Sequence, residues 1–339
     1  MSEKTQIYSR DISVSVIVCT YNRGTVFESF LESFYNQEGD FIDCEFIVVD
    51  NNSNDNTREV CEKYRINTKI NLKYIFEKRQ GLSYARNTAV ENAAGNLLAF
   101  IDDDVRVDKN WLFNVRKLAK SYLDYIAFGG KVIPVWEVGK PPWAVFEGDY
   151  AIIQSVFPSH DFGEEIREYP IRAQKNPMGA NMMIRKKAFE KYGFFRTDLG
   201  VSGPALKTGG LHEDTEFIWR MLDKGEKVLY YPLAAVSHYV PAERSSKSYI
   251  RKWYFKSGAS FTRMQQGYYD KQGYVKFFGI PRWIFKKLIK PAFWLVFAIN
   301  PEKRFFYQLR FFRLLGTISE FINHCSLKPG QKTNSAEKV

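Results

Sequence analysis

The chain has 339 residues, 45% hydrophobic and 16% aromatic, which supports a real core and excludes a disordered chain. The net charge of +11 is uneven: residues 247–339 hold 18 Lys and Arg against 4 Asp and Glu, leaving the part before them near −3. The longest unbroken apolar run, residues 292–299, falls far short of the roughly 20 that span a bilayer, and residues 1–11 lack the apolar stretch of a signal peptide.

Strand and helix signals alternate through the first third of the chain. Residues 14–19 form a short β-branched run that reads as a buried strand, and residues 27–35 read as a helix. Residues 46–49 and 72–76 continue the strand series, with a helix over 55–64 between them. A helix is expected over 82–94, with Gly95 as the residue that ends it, then a strand over 97–101 and a helix over about 110–122. Such alternation implies a doubly wound, mostly parallel α/β sheet. After Tyr125 the pattern loosens, and prolines and aromatics between Pro134 and Pro177 suggest loops and irregular strands. A short strand at 182–184, a helix over 212–225 and a strand at 228–231 follow. From Ser245 the chain reads as helical, basic and aromatic. The expected domains are therefore 11–244, a basic helical extension over 245–327, and a polar tail over 328–339. Cys19, Cys44, Cys61 and Cys325 form no CxxC pair, so free thiols in a reducing, cytoplasmic compartment are expected.

In a doubly wound sheet, ligands sit outside the carboxyl ends of the strands. Those ends are polar here: Thr20-Tyr21-Asn22-Arg23, then Asp50-Asn51-Asn52-Ser53, then Asp102-Asp103-Asp104. Asp, Asn and Ser also build turns and caps, a reading that fits residues 51–54 equally well. Three adjacent carboxylates are different, because they repel one another unless a divalent cation sits among them. A cation held by one or two carboxylates keeps open positions for phosphate oxygens, which points to a nucleoside diphosphate as leaving group. Neither the dinucleotide G-x-G-x-x-G nor the phosphate-loop G-x-x-x-x-G-K-[ST] pattern is present.

These strand ends, with Gly81-Leu82-Ser83-Tyr84-Ala85-Arg86-Asn87, Gly179-Ala180-Asn181 and His212-Glu213-Asp214-Thr215-Glu216, resemble family 2 glycosyltransferases of the GT-A fold. The resemblance covers residues 13–244. It implies that Thr20 and Asp50 line the nucleotide pocket, with Asp50 accepting from a base edge, and that Arg86 faces the base or diphosphate. Asp102 would face the ribose and Asp104 a manganese or magnesium ion; Asp103 is ambiguous, since three aspartates allow two registers. Asn22, Arg23, Asn52, Gly81, Asn181 and Glu213 join the expected substrate contacts. Asp214 would be the base of an inverting displacement.

Independently, Asp214 opens a helix, with Ile218 and Met221 at helical spacing on the same side, so it is either an inward carboxylate or an ordinary cap. Glu216 and Arg220 should simply pair. The resemblance implies that His238 is a second metal ligand, whereas a lone histidine reads as a structural hydrogen-bonder; Trp219 and Asp198 read as acceptor contacts or as core and turn residues. The resemblance implies a nucleotide-diphospho-sugar donor and a glycan or lipid-linked saccharide acceptor in cell-surface glycan synthesis. Processive members of that family carry a Q-x-x-R-W motif and several spanning helices; neither is visible here, so the resemblance implies one sugar per encounter. The alternatives are a sugar nucleotidyltransferase or a non-catalytic nucleotide-sugar-binding scaffold. Nucleic acid is not an expected partner. The basic aromatic extension reads either as peripheral contact with the inner membrane face or as packing on the core.

Overall fold

The computed structural model describes residues 13–326 apart from 40, 42, 67–69, 154–155, 172–175 and 202–210. The described chain divides into two units. The first holds Met1–Val135, Phe157–Gly209 and Glu213–Val240; the second holds Trp136–Val156, Gly210–His212 and Pro241–Val339.

The first unit opens with β1 (Val14–Thr20), α1 (Gly24–Tyr35), β2 (Cys44–Asp50), α2 (Thr57–Arg65), β3 (Leu72–Phe76), α3 (Leu82–Asn92) and β4 (Leu97–Asp102). It continues through β5 (Val105–Val107), α4 (Trp111–Ser121), β6 (Ala127–Trp136, whose last residue joins the second unit), β7 (Arg167–Glu168), β8 (Asn181–Arg185), α5 (Lys186–Tyr192), α6 (Glu213–Leu222) and β9 (Val228–Val240). The sheet order is β3-β2-β1-β4-β8-β6-β9-β5, with β7 against β9. The β1, β2, β3 and β4 pairings are parallel, as the alternating sequence implies; β8 against β4 and β6, and β9 against β5, are antiparallel. The sheet is thus mixed, its parallel half holding the first three polar strand ends side by side.

Strands β1, β2 and β4 are buried along nearly their whole length, which explains their unbroken β-branched and aliphatic runs. Val14, Val16 and Val18 pack on one face with Phe27, Phe30, Leu31 and Phe34 of α1 and Trp111 and Val115 of α4. Ile17, Leu98 and Phe100 pack on the other with Ala85 and Ala89 of α3, Phe189 of α5 and Phe217 and Met221 of α6. Burial of each large side chain contributes about 1.5–3 kcal/mol, so both layers are firmly anchored.

Several elements differ from expectation. Gly95 does not end α3, which stops at Asn92; a Cβ there would lie 2.5 Å from the Ser15 backbone nitrogen, so glycine serves close strand approach. Strand β5 and most of β6 fall where no strand was expected, and β9 runs 13 residues rather than four.

The second unit is built on α7 (Lys247–Met264), followed by α8 (Gln266–Lys271), the hairpin β10 (Lys276–Phe277) and β11 (Ile280–Pro281), α9 (Arg282–Phe297) and α10 (Pro301–Ser326). Helix α10 packs on both α7 and α9. Its crossing with α7 brings backbones into contact: a Cβ on Gly258 would lie 1.9 Å from the Arg313 carbonyl oxygen, and one on Gly316 1.9 Å from that of Phe255. Residues 136–156 join this unit through aromatic packing, with Trp143 edge-on to Phe305 and the Ile153 amide donating to the Tyr254 hydroxyl at 2.9 Å. The boundary expected from sequence lies near Arg244; the division into units falls after Val240, and residues 136–156 belong to the second unit.

Candidate active site

Register builds the site. Thr20 pairs with Asp50 and Cys19 with Asp102, so the ends of β2, β1 and β4 lie in a row. The chain turns at Asp103 and Asp104 into β5, whose Val105 pairs with His238 of β9. That antiparallel pairing carries the imidazole to the strand-end acids. His238 Nε2 lies 3.1 Å from Asp104 Oδ1 and 3.8 Å from Asp102 Oδ2, and ligand atoms of all three residues fall within 4.8 Å of one another.

The polarity of this cluster has a plain reading. His238 Nδ1 lies 2.9 Å from the Tyr239 carbonyl oxygen, which can only accept, so Nδ1 carries a proton. In the neutral ring Nε2 is then a lone pair, and it faces two carboxylates. A doubly protonated ring pairs with both acids, and a neutral one leaves Nε2 to share a cation with them. Two carboxylates and one imidazole, the ring oriented by its second nitrogen, form a donor set suited to a divalent cation such as manganese. The residues fit a metal.

Cations of the chain surround the acids. Arg23 Nη1 donates to Asp104 Oδ2 at 2.6 Å and lies 3.6 Å from Asp103 Oδ1. Buried Arg86 Nη1 donates to Glu213 Oε1 at 2.7 Å, and its Nη2 lies 3.8 Å from Asp102. A single guanidinium thus links the start of α6 to the end of β4. Burial pushes the Asp103 carboxyl up to about 7, with Arg23 opposing and Asp104 adding to the rise. Burial likewise pushes Glu213 up to about 7, reinforced by Asp214 and opposed by Arg86. Burial lifts the Cys19 thiol to about 12, leaving it unreactive beside Asp102.

Asp214 is half-buried at the start of α6. Its Oδ2 accepts from the Gly179 amide at 2.9 Å and its Oδ1 from the Thr215 amide at 2.6 Å. Gly179 is small for a reason: a Cβ there would lie 2.4 Å from Arg86 Nη2. This glycine lets the guanidinium and the Asp214 carboxylate share one loop. It was not singled out from sequence, although it heads the Gly179-Ala180-Asn181 motif.

The second strand end is arranged differently. Asp50 Oδ1 accepts from the Ser53 amide at 2.9 Å and Oδ2 from the Tyr74 hydroxyl at 2.7 Å. Burial and that hydrogen bond both push the Tyr74 phenol above its usual range. Asn51, rather than Asn52, is the buried neighbour. Its Oδ1 accepts from the Gly81 amide at 2.7 Å, and its Nδ2 donates to the Glu77 and Arg79 carbonyls at 3.2 and 2.7 Å. Neither Asn51 nor Tyr74 stood out among the expected site residues.

Other expected contacts take structural places. Asn181 is fully buried: its Oδ1 accepts from Trp111 Nε1 at 3.0 Å and its Nδ2 donates to the carbonyls of Lys131 and Ala234, so the amide ties strands together. Asn52 is exposed at φ +69°, a loop position. Asn22, exposed at φ +50°, joins two loops by donating to Ser53 Oγ and accepting from the Asn54 amide. Together with Arg23 it lines a small open cavity of about 210 Å³. Gly81, at φ +143°, is fixed by Asn51. Glu213 pairs with Arg86, and Trp219 packs against the core layer of α6. Asp102, expected toward a ribose, lies within the cluster of Asp104 and His238. Glu216 and Arg220 pair as their spacing implies, and Asp198 pairs with Arg196 at 2.7 Å. Among the described residues, Cys19 and Cys61 are free thiols.

Comparisons with known proteins agree with the fold. Residues 15–193 match the family model described as glycosyl transferase family 2. The chain is 27% identical over 253 residues to the succinoglycan biosynthesis protein ExoM of Rhizobium meliloti, covering 75% of each chain. It is also 27% identical over 271 residues to the glucosyl-dolichyl phosphate glucuronosyltransferase of Haloferax volcanii, covering 78% of this chain and 82% of that one. Among solved structures, the mannosyltransferase PcManGT of Pyrobaculum calidifontis, in complex with GDP-Man and Mn2+, superposes with a TM-score of 0.55 at 18% identity, covering 91% of this chain and 87% of that one. At that identity the likeness is one of fold.

Proposed function

The chain belongs to glycosyl transferase family 2, and on that premise we propose that it is a metal-dependent, inverting enzyme adding one sugar per encounter from a nucleoside-diphosphate sugar to a glycan or lipid-linked saccharide. That it is a glycosyltransferase follows from the family; the finer reading is supported chiefly by one observation. Asp102, Asp104 and His238 converge at the carboxyl ends of the parallel strands, where an α/β sheet binds its ligands. A bound divalent cation would there neutralise charge on the departing diphosphate.

The chain's own residues account for the rest. Arg23, partly exposed beside Asp104, is available to meet phosphate oxygens. Arg86 is buried and held by Glu213, so it orients Asp102 and the start of α6. Asp214, fixed by the Gly179 and Thr215 amides, is the base. It takes the proton of an acceptor hydroxyl as that oxygen bonds to the sugar's anomeric carbon and the bond to the diphosphate breaks. Attack from the side opposite the leaving group inverts that carbon. The names of the two relatives, one tied to succinoglycan and one to a dolichyl phosphate, support a glycan or lipid-linked acceptor.

The test has two stages. Thermal melts against a panel of nucleoside diphosphates, with and without manganese, should show a rise for one base that needs both components, because a ligand bound only by the folded state stabilises it. Transfer from the matching sugar nucleotide should then stop in EDTA and yield the inverted anomer. Full transfer in EDTA, or a retained anomer, would sink the corresponding part.

A further inference from the structure

The second unit carries a surface that sugar transfer does not explain. Helix α9 has two apolar faces. Ile284 and Pro291 are buried, with Leu288 and Leu295 half-buried beside them. On the other side Phe285, Ile289, Phe293 and Val296 are 39%, 69%, 50% and 66% exposed. At about 100° per residue these four fall within an arc of about 80°. Lys286 and Lys290 border that row, Arg282 begins it, and α9 contains no Asp or Glu.

The hairpin just before α9 adds a second anomaly. Its turn residues Phe278 and Gly279 have φ +50° and +78°, as a primed two-residue turn requires. Phenylalanine adopts that conformation at a cost, yet Phe278 is 96% exposed and its neighbour Phe277 53%. Among the described residues no hydrogen bond or ring contact of Phe278 offsets that cost, which is the pattern of a residue held for an external contact. An open groove of about 600 Å³ is lined by Tyr269, Tyr274, Arg282, Trp283, Lys286 and Lys287, joining cations to aromatic faces.

We infer that this face seats an anionic lipid bilayer. Phe277, Phe278 and the Phe285–Ile289–Phe293–Val296 row enter the boundary between headgroups and acyl chains, and Arg282, Lys286, Lys287 and Lys290 pair with lipid phosphates. Charge decides the occupant. Lysine is depleted in protein interfaces, and a second copy meeting this face through a two-fold axis would set like charges together. A bilayer accepts both features, since lysine stems lie on apolar surface while their charges stay in water. No described helix is long and apolar enough to cross a membrane, so α9 lies in the plane. The inference is independent of the transferase reading, because its readout is binding.

The experiment is co-sedimentation of the full chain with phosphatidylcholine vesicles, with and without one-third phosphatidylglycerol, at low and high salt. Binding should require phosphatidylglycerol and weaken, but persist, in high salt. Lys286→Gln, Lys287→Gln and Lys290→Gln together should weaken it about 100-fold at low salt. Ile289→Asn with Phe293→Asn should remove about 10-fold or more of the salt-resistant part. Phe278→Ser probes the hairpin without touching α9 and should also reduce binding. Unchanged melting temperatures separate these effects from unfolding. Equal binding to both vesicle types, or full binding by the triple variant, overturns the inference. So does an apolar variant that converts a solution dimer to monomer while the parent chain ignores vesicles.

Discussion

Two acidic strand ends flank β1 in one sheet and are satisfied in opposite ways. Around Asp50 the protein supplies its own donors: the Ser53 amide and Tyr74 hydroxyl for the carboxylate, the Gly81 amide for Asn51, and Arg79 and Thr88 for Glu77. Around Asp102, Asp104 and His238, acceptors converge, with Arg23 as the nearest cation of the chain. The first end is finished by the fold. The second, although Arg23 and Arg86 lie against it, fits the cation proposed for it. Similar residue types at equivalent places therefore divide into loop construction and ligand chemistry according to where their donors come from.

The sharpest test of that division is Asp104→Ala. It should lower transfer by about 10³-fold or more, the several kcal/mol that metal assistance supplies. The metal-free melting temperature should hold, and manganese should raise it for the parent but not the variant. A variant that still responds to manganese would break the comparison. Next comes Asp214→Asn, which keeps shape but loses the proton acceptor. Turnover should fall about 10²–10⁴-fold, with donor affinity by calorimetry nearly unchanged. A weak-binding variant with normal turnover would place Asp214 elsewhere.

On the finished side, Asp50→Ala should lower metal-free stability by about 1–3 kcal/mol in denaturant titrations, because it leaves the Tyr74 hydroxyl and Ser53 amide without their acceptor. If Asp104→Ala costs more stability than Asp50→Ala, the contrast is reversed. The smallest effect concerns Glu77, which hydrogen bonds from Arg79 and then Thr88 hold down at about 2. A depressed carboxyl contributes stability that is present above its unfolded value near 4.5 and lost as pH falls through about 2. Glu77→Gln should therefore be less stable than the parent at pH 7 by on the order of 1–2 kcal/mol, since the half-exposed Arg79 is screened. The gap should close in acid; one that is unchanged at low pH would remove the charge explanation.

Much of the parallel half could be read in advance, because strands buried on both faces leave continuous apolar runs and their polar ends mark the crevice. Asp102 to Asp104 stood out for the same reason. What was hidden depends on pairing. Strand β5 has three residues, too few for any period, yet its register with β9 is what brings His238 to Asp104. Asn51 and Asn52 are chemically alike and adjacent, and only the left-handed turn at Asn52 decides which faces inward. Asn181 matched a motif, but its amide is consumed by Trp111, Lys131 and Ala234, contacts spread over more than 100 residues of sequence.

The Gly258–Gly316 crossing has a thermodynamic consequence. Because the backbones of α7 and α10 touch, neither helix has room to slide or rotate, and α10 also supports α9. Helix α9, proposed to meet lipid, is therefore preformed. A disordered amphipathic segment loses about 1–2 kcal/mol of backbone conformational entropy for each residue that becomes helical on a membrane. Here folding has already met that cost, so apolar burial and phosphate pairing appear almost undiminished in the affinity. Far-ultraviolet dichroism should stay flat as vesicles are added. Gly316→Val, which forces the helices apart, should weaken vesicle binding although it removes no lipid contact.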